Sequence, residues 1–194
     1  MKKMCLTRTR SAFALYLTAT LAAGMAWGTV VSAAKDDFVS TEVGFFEAGV
    51  ICAQASNVVR DAPDTLAGST HVIEDAPPFV SNGRVVPAVL GIGFGVRSGL
   101  ATEFGQDGVL MTITHPPLGG SGVKQQSFIS NIGSSTAPSV TFYQFDYGYE
   151  LALGEWVMTA SRDGDTLYET TFTVVSPSAL PELAGVCGYL DLLS

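Results

Sequence analysis

Beyond residue 34 the chain is poor in positive charge. All 18 acidic residues lie there, with only six basic ones (Lys35, Arg60, Arg84, Arg97, Lys124 and Arg162), a formal charge of −12. Such a surface repels polyanions, so neither nucleic acid nor an anionic membrane is expected as a partner. Histidine is scarce as well: only His71 and His115 occur, with no third nitrogen, sulfur or carboxylate ligand at motif spacing. That argues against a zinc centre, and no metal or cofactor is expected. No stretch between residues 35 and 178 keeps a 3.6-residue apolar period, which excludes a helical bundle. Two apparent glycine motifs fail on spacing. "GIGFGVRSG" at Gly91–Gly99 lacks the third glycine of a dinucleotide loop, and "GGSG" at Gly119–Gly122 lacks the spacing of a nucleophile elbow.

The N-terminus is different in kind. "MKKMCLTRTR" carries Lys2, Lys3, Arg8 and Arg10, and an uncharged run from Ser11 to Val31 follows. The small residues of "VSAAK" come next. This is the order of a secretory signal, with cleavage expected near Ala33 or Ala34; left uncleaved, the segment could anchor the chain in a membrane. The chain therefore divides into a signal at 1–34, a domain at 35–176 and a tail at 177–194, and a periplasmic or secreted location is expected. Past the signal only Cys52 and Cys187 remain, neither in a C-x-x-C nor near a histidine. In an oxidising compartment such a pair becomes a disulfide, here tying the first long strand to the tail.

The body reads as strands. Val43–Ala53, Val85–Arg97, Val109–Thr114, Ser139–Tyr149, Trp156–Ser161 and Leu167–Val175 are rich in β-branched and aromatic residues, and His71–Glu74 is a weaker candidate. Asn82-Gly83, Asp107-Gly108, Asp163-Gly164, Pro77-Pro78 and Pro116-Pro117 punctuate them as turns. About seven strands in this length predict an all-β, antiparallel, immunoglobulin-like sandwich. Ala179–Leu193 is expected to contain a short helix with Pro181 in its first turn.

Candidate sites are few. Asp163, Asp165 and Glu169 form the most conspicuous carboxylate cluster. A calcium loop would need more oxygen ligands at set spacings, whereas Asp-Gly between alternating strands is the signature of a type I′ hairpin. Gly91, Gly93 and Gly95 strip one face of a strand, either to receive a large side chain, with Trp156 the first candidate, or to form a ligand groove. Tyr143, Phe145, Tyr147 and Tyr149 share one parity: a core row, or, if exposed, a surface for stacking sugars or docking a peptide. Tyr143, Tyr147, Tyr149 and His115 are the binding candidates, and no residue is assigned as catalytic. His115 beside Ser121 keeps a small hydrolase as the alternative to a non-enzymatic module that binds an envelope protein or glycan.

"VPAVLGIGFGVR", "THPP", "YGYELALGEW" and "DGDTLYETTFTVV", in that order over residues 40–175, resemble a bacterial family catalogued as domain of unknown function 3859. The resemblance implies a secreted or envelope immunoglobulin-like β domain. It brings no reaction, ligand or catalytic residue.

Overall fold

The computed structural model describes residues 35–54, 56, 58–73 and 76–187. The signal segment expected at 1–34 lies outside the described residues. Eleven strands run in chain order: β1 (Phe38–Val39), β2 (Val43–Cys52), β3 (Val59–Asp61), β4 (Ser69–His71), β5 (Val85–Pro87), β6 (Ile92–Leu100), β7 (Gln106–Leu118), β8 (Val123–Ser134), β9 (Ser139–Gln144), β10 (Gly154–Arg162) and β11 (Asp165–Val175). A short helix, α1 (Pro181–Gly185), follows. The expected tail helix is thus one turn opened by Pro181, and residues 188–194 lie outside the described part.

The strands form a sandwich. One sheet runs β8–β7–β10–β11, with β1 and β5 sharing the far edge of β11; the other runs β2–β6–β9. Pairing is antiparallel except for β5 on β11 and the end of β8 on β6, where Gly133 and Ser134 cross into the second sheet. The core lies between the two inner faces. Phe94 of β6 meets Phe172 of β11 at 4.6 Å and Trp156 of β10 at 5.7 Å between ring centres. All three rings are fully buried, so each contributes about 1.5–3 kcal/mol or more of apolar transfer.

Several local expectations hold. Asp163 and Gly164 both have positive φ (53° and 93°), as a type I′ turn demands, and they join β10 to β11 in a two-residue loop. Asp165 is exposed at the hairpin end as expected, whereas Glu169 lies in the middle of β11, half-buried between β10 and β1, and pairs with Lys35 at 2.7 Å. Cys52 and Cys187 are disulfide-bonded, with Cα atoms 5.4 Å apart.

Others are corrected. Val85–Arg97 is two strands in different sheets, because the chain leaves β5 at Pro87 and re-enters as β6. Asp107-Gly108 makes no hairpin turn: Gly108 (φ 73°) sits in a bulge inside β7. Pro116 and Pro117 do not end β7 either. They lie beyond its pairing with β10, in the register shift between Thr114 and Leu118, where a missing N–H leaves no ladder bond broken. β8, among the longest strands, was not anticipated, because "VKQQSFISNIGS" is too polar to read as one.

The glycine face also differs from expectation. A Cβ on Gly93 would stand 2.6 Å from the Tyr143 carbonyl oxygen, so the missing side chains admit the backbone of β9 rather than an indole. Trp156 packs on the opposite face of β6, against Phe94. The space is neither a Trp slot nor a ligand groove. On the same face Gly49 receives the ring of Phe79, which in turn lies under the Arg97 guanidinium at 5.2 Å.

Candidate functional site

A sandwich has two open edges. At one, where β2 faces β1 and β5, Arg84 closes the gap. Its Nη1 donates to the Ala48 carbonyl, its Nη2 meets Asp37 at 2.8 Å, and its guanidinium lies 5.6 Å from the Phe172 ring centre. At the other, where β9 faces β8, the β3–β4 hairpin stretches across. It leaves a cavity of about 320 Å³, partly open to solvent, between itself and the two strands.

The hairpin is docked by polar contacts rather than by a core of its own. The Leu66 N–H donates to Gln126 Oε1 at 2.8 Å, the Ser127 N–H to the Asp64 carbonyl at 3.2 Å, and His71 Nε2 lies 3.4 Å from Asp146 Oδ2. Ser56 Oγ donates to the Val72 carbonyl at 2.7 Å and so ties the base of the hairpin.

Gln126 is buried and joins this hairpin to a chain of polar groups within the aromatic core. Its Nε2 donates to Tyr143 Oη at 3.1 Å and to His115 Nε2 at 3.2 Å. Tyr143 Oη donates to Glu150 Oε1 at 2.8 Å, while Glu150 Oε2 accepts the N–H groups of Asp146 and Tyr147, each at 2.8 Å. His115 Nδ1 lies 2.8 Å from the Pro116 carbonyl, which can only accept. These partners assign a neutral imidazole with its proton on Nδ1 and its Nε2 lone pair facing Gln126. The ring lies against Trp156 at 4.7 Å, and Trp156 Nε1–H donates to the Ala152 carbonyl at 2.9 Å. Every polar atom named in this chain has a partner, as burial requires.

Burial sets the charge states. It lowers the His115 pKa, only partly offset by the bond to Pro116. It raises the Glu150 carboxyl against the stabilising bonds from Tyr143, Tyr147 and Asp146. Burial first, then the nearby Glu150 charge, drives the Tyr143 hydroxyl far above its ordinary range. Tyr143 is therefore a neutral hydroxyl that relays a hydrogen bond.

The four sequence candidates separate into pairs. Tyr143 and His115 belong to one buried network, and Tyr143 also lines the cavity. Tyr147 and Tyr149 do not continue the Tyr143 row, because β9 ends at Gln144 and a 3-10 turn at Gly148–Glu150 follows. Their rings stack on each other at 5.2 Å and 6°, with Tyr149 packed against the margin of the core and Tyr147 half exposed beside the cavity. Ser121 is separate from His115: its hydroxyl donates to the Leu118 carbonyl and accepts from Val123 N–H. Both ring nitrogens of His115 are engaged elsewhere. Gln126 and Glu150 were not read from sequence. The one signal was Glu150 itself, an acid set among the aromatic residues of "YQFDYGYEL". Among the described residues no group of three His, Cys, Asp or Glu side chains is placed to hold a metal.

The family model of the domain of unknown function DUF3859 matches residues 39–174. The chain belongs to this family. The DUF3859 match runs from the last residue of β1 to the penultimate residue of β11. Among solved structures the chain is similar to an immunoglobulin-like protein from Pseudomonas aeruginosa, at 21% identity and TM-score 0.45, over 74% of this chain and 100% of that one. A second is the alkylpurine DNA glycosylase AlkC of Pseudomonas fluorescens, at 14% identity and TM-score 0.29, over 48% of this chain and 28% of that one. A comparison with curated proteins gave no match. Among the described residues no helix is long and apolar enough to cross a membrane.

Proposed function

We propose that this DUF3859 domain is a non-enzymatic binding module of the cell envelope that takes a protein or glycan group into the cavity under the β3–β4 hairpin. The observation that carries the reading is the cavity itself. Its volume of 320 Å³ falls at the small end of the range of ligand sites, and its wall mixes aromatic rings with hydrogen-bonding side chains. The Cys52–Cys187 bond supports an oxidising, non-cytoplasmic compartment. Hydrolysis is the weaker reading, because a nucleophile and its base must lie within hydrogen-bond reach, and Ser121 and His115 are each bonded to other groups. The test is an amide-resolved NMR titration of the oxidised protein with glycan and peptide fractions of envelope extract. Shifts should concentrate in residues 59–71, 126–131 and 140–147, with the added material recovered intact. Shifts confined to other surfaces, or cleavage of the added material that Ser121→Ala abolishes, would overturn the reading.

A further inference from the structure

The wall of the cavity specifies its ligand more closely. Its side chains with unused hydrogen-bonding capacity are mostly neutral. Asn131, Ser69 and Thr70 line it and make no side-chain hydrogen bond to another described residue. Arg60 and His71 also line it, but His71 pairs with Asp146 and Glu150 stands in the same wall, so no net positive charge is offered to an anion. The surplus of acid over the rest of the domain opposes anions further. A cation would find Glu150 already bonded to Tyr143 and to two backbone amides. The half-exposed ring of Tyr147 supplies an apolar plane beside these polar groups.

An extended peptide fits less well. Strand addition needs a free backbone edge, and the hairpin covers β8 at Ser127, whose N–H is held by Asp64. Ser130 Oγ and Thr141 Oγ1, 3.2 Å apart, link β8 to β9 across the gap where a strand would enter. The volume of 320 Å³ lies at the small end of ligand sites and has room for one six-membered sugar ring.

We infer that the cavity binds a single neutral, hydroxyl-rich sugar residue. Hydroxyls are held by Asn131 and by the Ser69–Thr70 segment of β4, where one side chain and the neighbouring backbone face the cavity, the C–H face of the ring lies toward Tyr147, and the hairpin lies over the residue. This rests on the proposed binding role of the cavity and adds the ligand class.

The test is an NMR titration of the oxidised chain with methyl glucoside, methyl galactoside, N-acetylglucosamine and uncharged disaccharides. Glucuronate and a tri-alanine peptide serve as comparisons. At least one neutral sugar should give saturable shifts in the amides of Ser69, Thr70 and Asn131 at millimolar concentration. Asn131→Ala should weaken that response roughly tenfold, the effect of one or two lost hydrogen bonds, at an unchanged melting temperature. Tyr147→Ala should weaken it several-fold. Lys124→Ala, on an exposed position of β8 outside the cavity wall, should leave it unchanged. Equal or tighter binding of glucuronate or the peptide at these amides would overturn the sugar assignment while leaving a binding module standing. Silence of the cavity toward every sugar overturns the assignment too. Silence toward the envelope fractions as well removes the binding role itself.

Discussion

The two open edges of the sandwich are closed by opposite means. At the β2 edge Arg84 fills the gap with a guanidinium bonded to Ala48 and Asp37. At the β9 edge a hairpin of two three-residue strands leaves 320 Å³ unfilled. A charge drawn partly out of water is kept only where partners compensate its desolvation, so the Arg84 edge serves the fold. A hollow forfeits the dispersion contacts its walls could have made, and a ligand can restore them. The sealed edge holds the sheets together, and the hollow edge is where the proposed ligand would sit.

The perturbation expected to be largest acts on the fold as a whole. Cys52→Ala unties the end of β2 from the tail after α1 and opens a loop of 135 positions. The chain-entropy model puts the loss at about 4–5 kcal/mol, read as a lower urea midpoint under non-reducing conditions. A midpoint equal to wild type would show that the tail contributes nothing to the sandwich.

Next comes the sealed edge alone. Arg84→Met removes three hydrogen bonds and leaves the Asp37 carboxylate with Thr170 alone and no counter-charge. With both side chains about a quarter exposed, the expected cost is about 2–3 kcal/mol, with binding at the other edge intact. Loss of binding at unchanged stability would reverse the comparison.

At the hollow edge, Gln126→Ala frees the Leu66 N–H and the far side of Tyr143. A global cost of about 1–2 kcal/mol is expected. The sharper readout is hydrogen exchange: amides of residues 59–71 should exchange far faster than those of β10 and β11, because only a local opening is made easier. Uniform acceleration would show that the hairpin belongs to the cooperative core.

Acid should separate the two buried titratable groups. His115 is held below its ordinary 6.5, so the stability from its neutral ring is present above pH 6.5 and is lost as pH falls through the lowered value. Glu150 is held above its ordinary 4.5, so its contribution is full below pH 4.5 and is lost as pH rises through the raised value. The slopes oppose each other. Glu150→Gln removes one of them, so the variant should gain on wild type as pH rises above 4.5 in a series of urea melts. A constant difference would mean that Glu150 titrates as it does in the unfolded chain.

The smallest expected effect falls on the most conspicuous acids. Asp165→Asn should change the melting free energy by less than about 0.5 kcal/mol, because a solvated carboxylate at a hairpin end has little to lose. A calcium-dependent rise in melting temperature that this substitution abolished would restore a metal site to the hairpin.

Residues determined by their own neighbours were legible in the sequence. Asp163-Gly164 determines its turn because only a few residue types accept positive φ. The β10–β11 pairing follows from the alternation of Trp156–Ala160 and of Tyr168–Val174, with one register shift between Ala160 and Ser161, and the disulfide follows from having only two cysteines beyond residue 34. Tertiary structure decided the rest. Gly93 is glycine for the sake of β9, whose backbone arrives from 50 residues away in the chain. β8 is a strand although it is polar, because β7 supplies its ladder and only Gln126, Ile132 and Ser134 are buried along it. The network of Glu150, Tyr143, Gln126 and His115 gathers four residues from β7, β8, β9 and a 3-10 turn. No spacing along the chain announces it, since hydrogen bonds inside a core are chosen by proximity in space, which sequence alone does not encode locally.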